Sequence, residues 1–332
     1  MGRLIRVGSQ LLNRDSANGR AKLWLNAATN SAEALPVALV TGIVIITLLW
    51  NVYARLTWTP AVPLPTVLIA AAVFASIAII FSTVMSNRVI VELATYYGLW
   101  AIFPLFCVRL NYLSATLGFP LQDALFARAD AMIGFDWRAW SSLAWAHPLF
   151  IKVLEVAYES NIYQPFILVL AFALWGPRGR NREFLTATVL AALATVIIAT
   201  VLPAFGPNRI YGIASTWDAI LEALRAGSHQ PLHYVGIVTF PSFHASMALI
   251  LTTSVRGSRY ATAAASIVNG LMLIATVPIG YHYLVDIIAG CAIGLGSIYI
   301  AIRSGDAVAR RQLRYRADTL ARGGGGADPA TT

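Results

Sequence analysis

The sequence predicts an all-α fold, a polytopic membrane helical bundle of about eight transmembrane helices. Hydrophobic residues make up 58% of the 332-residue chain and charged residues only 12%, whereas soluble domains carry about 25% charged residues. The mean hydropathy is +0.68. Apolar stretches recur along the chain, each near the roughly 20 residues that a helix needs to cross a bilayer core. Together these features exclude an ordinary soluble domain.

The apolar stretches divide the chain into a peripheral pair of helices and a larger core. They lie at about 35–54, 64–86, 89–108, 153–174, 184–203, 236–255, 261–279 and 283–302. The first two, within residues 35–88, are predicted to be accessory transmembrane helices. The other six form a core at residues 89–302, which includes an outer segment at 109–152. That segment is rich in tryptophan, which is typical of a helix lying in the headgroup layer.

Basic residues in the connections predict which side of the membrane each loop occupies. Residues 1–34 form a basic N-terminal tail, and residues 303–332 form a basic, partly disordered C-terminal tail. With eight crossings, both tails fall on the same side as Arg88, Arg180 and Arg256. Because Lys and Arg collect on the cytoplasmic side, we expect a multi-pass protein of the cell inner (plasma) membrane with both termini cytoplasmic.

The net charge of +9 is compatible with two kinds of partner, nucleic acid and anionic lipid. The basic residues lie in tails and short loops beside apolar runs. In that position, retention on the cytoplasmic side and contact with lipid headgroups account for them. We therefore expect membrane lipids, and no nucleic acid, as partners.

Two short polar segments interrupt the apolar sequence and contain the candidate catalytic residues. The first is Pro-Ser-Phe-His-Ala-Ser at 241–246, and the second is Gly-Tyr-His-Tyr-Leu-Val-Asp at 280–286. His282 and Asp286 are four residues apart, so on a helix the carboxylate can hold the imidazole in one tautomer. His244 supplies a second titratable group. Pro241 suits the first position of a helix, whose backbone N–H groups, with the Ser242 hydroxyl, favour a phosphate.

Other polar residues have more than one interpretation. Arg209, in the loop predicted to be extracytoplasmic, can donate to a phosphate or extend to the lipid headgroups. Asn161 and Tyr163 lie in a span too polar to face lipid, and either bind a substrate headgroup or satisfy neighbouring polar groups. His229 and His233 have a spacing found in zinc sites, but the intervening proline opposes a regular helix. We predict no metal and no cofactor.

The two motifs resemble those of the type 2 phosphatidic acid phosphatase superfamily, in particular the branch of inositol phosphorylceramide and sphingomyelin synthases. Phe243 stands where most members of the superfamily have glycine. The resemblance implies that His282 attacks phosphorus to give a phosphohistidine, while Asp286 orients it. It also implies that His244 acts as general acid and base and that Ser242, with nearby backbone N–H groups, stabilises the phosphate oxygens.

The chain departs from the superfamily pattern at two cationic positions. Arg209 is followed by Ile210 instead of proline, and Leu202 stands where the pattern has lysine. The Ser-Arg pair of the third element is replaced by Ala275 and Thr276. A phosphodiester carries less charge on the reacting phosphate than a monoester does. Because the chain lacks these two cations, a donor with the lower charge fits better, and this favours a transferase that uses a phosphodiester. Hydrolysis is nevertheless the simpler reaction.

The resemblance therefore predicts a lipid phosphatase or a lipid headgroup phosphotransferase. Its substrate would be a phospholipid, sphingolipid or polyprenyl lipid phosphate, with water or an alcohol as acceptor and the active site at the extracytoplasmic face. The alternative is a non-catalytic lipid-binding or transport protein that uses His282 and Asp286 as a proton or ion site.

Overall fold

The structure of the protein is a computed structural model, which describes residues 34–57, 63–85, 87–228 and 236–323. In these residues, apolar helices follow one another along the chain. These residues contain no β-strand, so the all-α prediction is confirmed. The helices, in chain order, are α1 Ala34–Ala54, α2 Leu64–Ile80 with a π-helical turn at Phe81–Met85, α3 Arg88–Ala115, α4 Asp123–Met132, α5 Trp137–Trp145, α6 Pro148–Trp175, α7 Arg180–Val201, α8 Pro207–Ile210, α9 Thr216–Arg225, α10 Phe243–Ser254, α11 Arg259–Ala275 and α12 Leu284–Gly323.

Five helices of the described chain are long and apolar enough to cross a membrane, so the protein is a multi-pass membrane protein. They are α1, α2 with its π-helical turn, α3, α7 and the first part of α12. The other predicted spans coincide with the more polar α6 and the shorter α10 and α11. Eight crossings therefore remain the prediction from the apolar runs.

Three of the predicted boundaries differ most from the observed helices. The run at 236–255 becomes helical only at Phe243, because Ser242 caps the helix there. Helix α3 continues to Ala115, beyond the predicted end of its span. Helix α12 continues without a break to Gly323, through most of the basic segment predicted to be partly disordered. The predicted N-terminal tail, except for its last residue, lies outside the described residues.

The extension of α3 places Arg109 inside the protein instead of in an outer loop. Its side chain is 1% exposed. The guanidinium donates to the Asn51 side chain at 2.8 Å and to the Thr57 carbonyl at 2.9 Å, and also contacts the Leu56 carbonyl. These hydrogen bonds attach the end of α1, and the turn after it, to the core.

Helix α10 lies at the centre of the bundle, in contact with α6, α7, α11 and α12. Its central residues, including Met247, Ile250 and Leu251, are almost fully buried in the main hydrophobic core. Polar side chains also cross this core: Gln164 of α6 donates to Asn269 of α11 at 2.9 Å, and Asn269 donates to Thr252 of α10 at 3.0 Å. Part of the polarity of α6 therefore serves contacts between helices.

Helices α10 and α12 approach closely because α12 presents two glycines four residues apart. A Cβ atom on Gly290 would collide with the Ser242 carbonyl oxygen, and one on Gly294 would lie 2.9 Å from the Ser246 carbonyl oxygen. The Ser246 hydroxyl donates to the Gly290 carbonyl at 2.7 Å. Small residues at this spacing allow helix backbones to touch inside a membrane. This contact fixes the start of α10 against the first turns of α12.

We expect Gly290→Ala to separate α10 from α12, because the new methyl group meets backbone atoms that cannot rotate away. Overpacking of this kind lowers the free energy of unfolding by about 1–3 kcal/mol. Thermal unfolding in detergent measures the change. Gly296→Ala is the matched control, since a Cβ atom there has open space in the same helix. Equal stability of the two variants would contradict the close contact.

Candidate active site

His282 and Asp286 form a buried hydrogen-bonded pair where α12 begins. His282 Nδ1 lies 3.2 Å from Asp286 Oδ2, and the same oxygen accepts a 2.9 Å hydrogen bond from the Tyr283 backbone N–H. The four-residue spacing predicts this contact, but His282 precedes the helix instead of lying on it, because α12 starts at Leu284. Asp286 thus holds the imidazole from the first turn of α12.

Burial also sets the protonation of His282, which is 3% exposed. Burial lowers the pKa of its imidazole below the usual value, and a backbone hydrogen bond to Thr239 acts in the opposite direction. A ring with a lowered pKa is neutral at neutral pH. One ring nitrogen then keeps the lone pair that a nucleophile requires.

The other motif, at residues 241–246, caps α10 and contains its first turn. Ser242 is fully buried, and its side-chain oxygen accepts a 3.4 Å hydrogen bond from the Ala245 N–H, so it caps the helix. Its own backbone N–H donates to the Asp286 carbonyl at 3.0 Å. Because Ser242 occupies the capping position, Pro241 precedes the helix instead of taking the predicted first position. His244 therefore lies in the first turn of α10, at the positive end of the helix dipole.

The two imidazoles approach each other beside a tyrosine of α6. The Tyr158 ring stacks on His244, with centroids 4.1 Å apart and planes inclined by 17°. A Cβ atom on Gly280 would lie 2.9 Å from His282 Cδ2 and 3.1 Å from the Tyr158 hydroxyl oxygen. The three rings therefore form one cluster.

Helix α4 supports the turn that carries His282. Asp130 is 4% exposed, and its carboxylate accepts hydrogen bonds from the Leu284 N–H at 2.8 Å and the Val285 N–H at 3.0 Å. It thus caps α12 from a different helix. Asp123 accepts from the Tyr283 hydroxyl at 3.1 Å and from the Gly206 N–H at 2.9 Å. Burial raises the pKa of Asp130, and its two backbone hydrogen bonds act in the opposite direction.

The remaining predicted site residues lie elsewhere or at the edge of this cluster. Arg209 forms an ion pair with Glu222, and its guanidinium lies over the Phe205 ring, 4.2 Å from the centroid. Tyr163 is 63% exposed. Five residues after Tyr158, it points to a different side of α6. Asn161 is half-buried, and its side-chain oxygen has no hydrogen-bond partner among the described residues.

The two histidines with a spacing found in zinc sites lie outside the described residues. His229 and His233 both belong to the undescribed residues 229–235. Within the described residues, no group of three or more His, Cys, Asp or Glu side chains is arranged to hold a metal ion.

Comparison with known proteins identifies the family. A family model described as the PAP2 superfamily matches residues 124–300, more than half of the chain. The chain belongs to the PAP2 superfamily. The match extends from α4 to α12 and includes both histidine motifs. No curated protein and no solved structure matches the chain.

Membership of the PAP2 superfamily indicates a membrane phosphatase or phosphotransferase with chemistry on lipid phosphates. It confirms the predicted resemblance at the level of the superfamily. The likeness to the branch of inositol phosphorylceramide and sphingomyelin synthases stays a prediction. The match begins after α3, so α1, α2 and α3 lie before the matched region.

The carboxylate of Asp130 should matter for activity although it does not reach the two imidazoles. We expect Asp130→Ala to leave two backbone N–H groups of α12 without an acceptor, at about 1–3 kcal/mol for a buried group. If the turn with His282 shifts as a result, turnover of a PAP2 substrate falls by about tenfold or more. Turnover and thermal unfolding in detergent measure both effects. Asp136→Ala is the control, because Asp136 caps the exposed start of α5; equal activity of the two variants would contradict this role.

The contributions of Asp123, Asp130, Tyr158 and the glycine pair of α12 were not predicted from the sequence. Only the glycines leave a readable signal, two small residues four positions apart within an apolar run. Asp130 lies 154 residues before Leu284, whose backbone N–H it binds. Asp123 lies 83 residues before Gly206, whose N–H it binds, and 160 residues before Tyr283, whose hydroxyl it binds. Tyr158 stands among several polar residues of α6, and nothing in its local sequence distinguishes it.

Proposed function

We propose that the protein cleaves or transfers a phosphoryl-linked group of a membrane lipid through a phosphohistidine formed on His282. The observation that carries this proposal is the cluster in which His282, held by Asp286, and His244, from a separate helix, both lie beside Tyr158. A nucleophile, a residue that orients it and a second proton-transfer group are the parts that such a reaction needs.

In the first step, a lone pair on His282 Nε2 attacks phosphorus, and the bond from phosphorus to the leaving oxygen breaks. Asp286 accepts the hydrogen bond from Nδ1 and stabilises the positive charge that develops on the ring. His244 gives its proton to the departing alkoxide. In the second step, His244 takes a proton from water or an alcohol, the incoming oxygen bonds to phosphorus, and His282 is released.

Both cationic side chains of the loop at 204–235 already have partners within the protein, which favours a donor with a singly charged phosphate. The loop at 204–235 contains two Lys or Arg residues, Arg209 and Arg225. Arg209 is paired with Glu222, and Arg225 donates to the Phe119 carbonyl at 2.8 Å. A phosphodiester needs less neutralisation than a dianionic monoester. We therefore favour headgroup transfer from a phosphodiester lipid, as in the synthase branch, over hydrolysis of a monoester.

We place the site at the extracytoplasmic face. At the opposite end of α10 from His244, Arg256 forms an ion pair with Glu183, and Arg180 donates to the Ser254 carbonyl at 3.2 Å. A basic end is typical of the cytoplasmic side. In intact cells, an impermeant thiol reagent should label Ala214→Cys and spare Tyr260→Cys. The reverse pattern would contradict this orientation.

A screen of lipid donors with purified protein tests the proposed reaction. Phosphomonoester and phosphodiester lipids are incubated with and without an alcohol acceptor, and released phosphate and new lipid products are measured. A transferase remains inactive on diesters until the acceptor is added, whereas a hydrolase releases product in water alone. Absence of turnover and of labelled protein across the panel would contradict catalysis and support a non-catalytic lipid-binding protein.

A further inference from the structure

We propose that Tyr158 is a positioning residue for His244, which its aromatic face holds in the orientation needed for proton transfer to the leaving group. This inference rests on the proposed function. Its basis is the parallel stack of the two rings, 4.1 Å between centroids and 17° between planes. Offset and parallel contacts of this kind favour a defined ring geometry.

The orientation of His244 needs such a support. Its helix, α10, fixes the backbone through the Ser242 cap, but the imidazole still has to select a rotamer. The flat ring of Tyr158, packed along one face of the imidazole, excludes the rotamers that would point the imidazole away from the phosphate. The mechanism requires His244 first to donate a proton and then to accept one, so its nitrogen has to remain within hydrogen-bond reach throughout.

The hydroxyl end of Tyr158 approaches the second imidazole. A Cβ atom on Gly280 would lie 3.1 Å from the Tyr158 oxygen and 2.9 Å from His282 Cδ2, so both groups are packed against the same glycine. Tyr158 therefore spans the space between the general acid and the nucleophile. A side chain in this position couples the placement of His244 to the turn that carries His282.

Helix α6 is suited to hold Tyr158 in place. It packs against α10, α11 and α3, and its residue Gln164 is hydrogen-bonded to Asn269 of α11 at 2.9 Å. Leu154 and Ala157 of the same helix are buried. The tyrosine is thus presented from a firmly packed element, which a positioning residue requires.

Substitutions at Tyr158 separate positioning from simple packing. Tyr158→Phe keeps the stacked ring and should retain kcat within about threefold. Tyr158→Leu and Tyr158→Met keep an apolar side chain without the aromatic face. We expect both to lower kcat by about 10- to 100-fold for lipid donors with an alkyl alcohol leaving group, as part of the contribution of general acid catalysis. For donors with an acidic phenol leaving group, which need no proton, we expect a change of less than about threefold.

A double-substitution cycle supplies the second readout. If Tyr158 acts through His244, Tyr158→Leu adds no further loss to His244→Ala. Trp175→Leu is the matched control, because Trp175 is an aromatic residue at the far end of the same helix and is 81% exposed; it should have normal activity. Phosphohistidine formation from the phenol donor shows that each variant is folded.

The results also separate this inference from the proposed function. An equal loss for both classes of donor, an additive loss with His244→Ala, or normal activity of both Tyr158→Leu and Tyr158→Met would overturn the role of Tyr158. If the wild-type protein turns over no lipid phosphate, or His282→Ala stays active, the proposed function itself fails.

Discussion

Replacing His282 with alanine should abolish turnover and remove the phosphohistidine. The imidazole is the proposed nucleophile, and the carboxylate beside it, Asp286, is fully buried and bonded to the turn and does not replace it. Loss of a covalent nucleophile lowers kcat by at least about a thousandfold. Turnover of the best lipid donor measures the loss. Incubation with a 32P-labelled donor should leave an acid-labile, base-stable label on the wild-type protein and none on the variant.

A control variant distinguishes the loss of the nucleophile from damage to the fold. His147→Ala removes an exposed histidine whose ring contacts the Leu143 carbonyl at 2.9 Å, and it should keep both activity and label. His282→Ala should unfold at a temperature close to that of the wild type. Ordinary turnover or an acid-labile label on His282→Ala would refute the mechanism.

Replacing His244 with alanine should slow the departure of the leaving group by about 100- to 10,000-fold, the usual contribution of a general acid. The loss depends on the donor, because an alkoxide needs a proton to leave whereas an acidic phenol does not. A plot of kcat/KM against the pKa of the leaving group should therefore be steeper for His244→Ala than for the wild type. The label on His282 should persist with the phenol donor.

Two outcomes would contradict the assignment of His244. One is a uniform loss across all leaving groups, which indicates a role in binding or folding. The other is loss of the label with the phenol donor, which indicates that His244 and not His282 is the nucleophile. His147→Ala serves again as the control.

Much of the fold follows from local sequence. Apolar runs near the length of a bilayer core predict α1, α2, α3, α7 and α12, because hydrocarbon leaves the backbone no partner other than its own helix. Boundaries are less predictable. Whether the basic segment after residue 302 continues α12 depends on helix propensity in a polar run, and apolar patterning says nothing about it.

In the candidate site, too, some features follow from local sequence and others do not. Motif and spacing alone identify His244, His282 and Asp286, since Asp286 reaches His282 from within the same turn of chain. The sequence does not decide which ions pair across loops. Arg209 is a plausible phosphate ligand by position, but α9 presents Glu222 to it.

The sequence by itself determined the membrane helices and the three residues of the proposed chemistry, because partition into lipid and contacts within one helical turn are local. Only the tertiary structure decided that Tyr158 stacks on His244 and that Asp130 caps α12. It also decided that Gly290 lets α10 and α12 meet. The physical reason is that such contacts depend on which helix faces pack together. That choice is made by the whole bundle and is not encoded in any single segment.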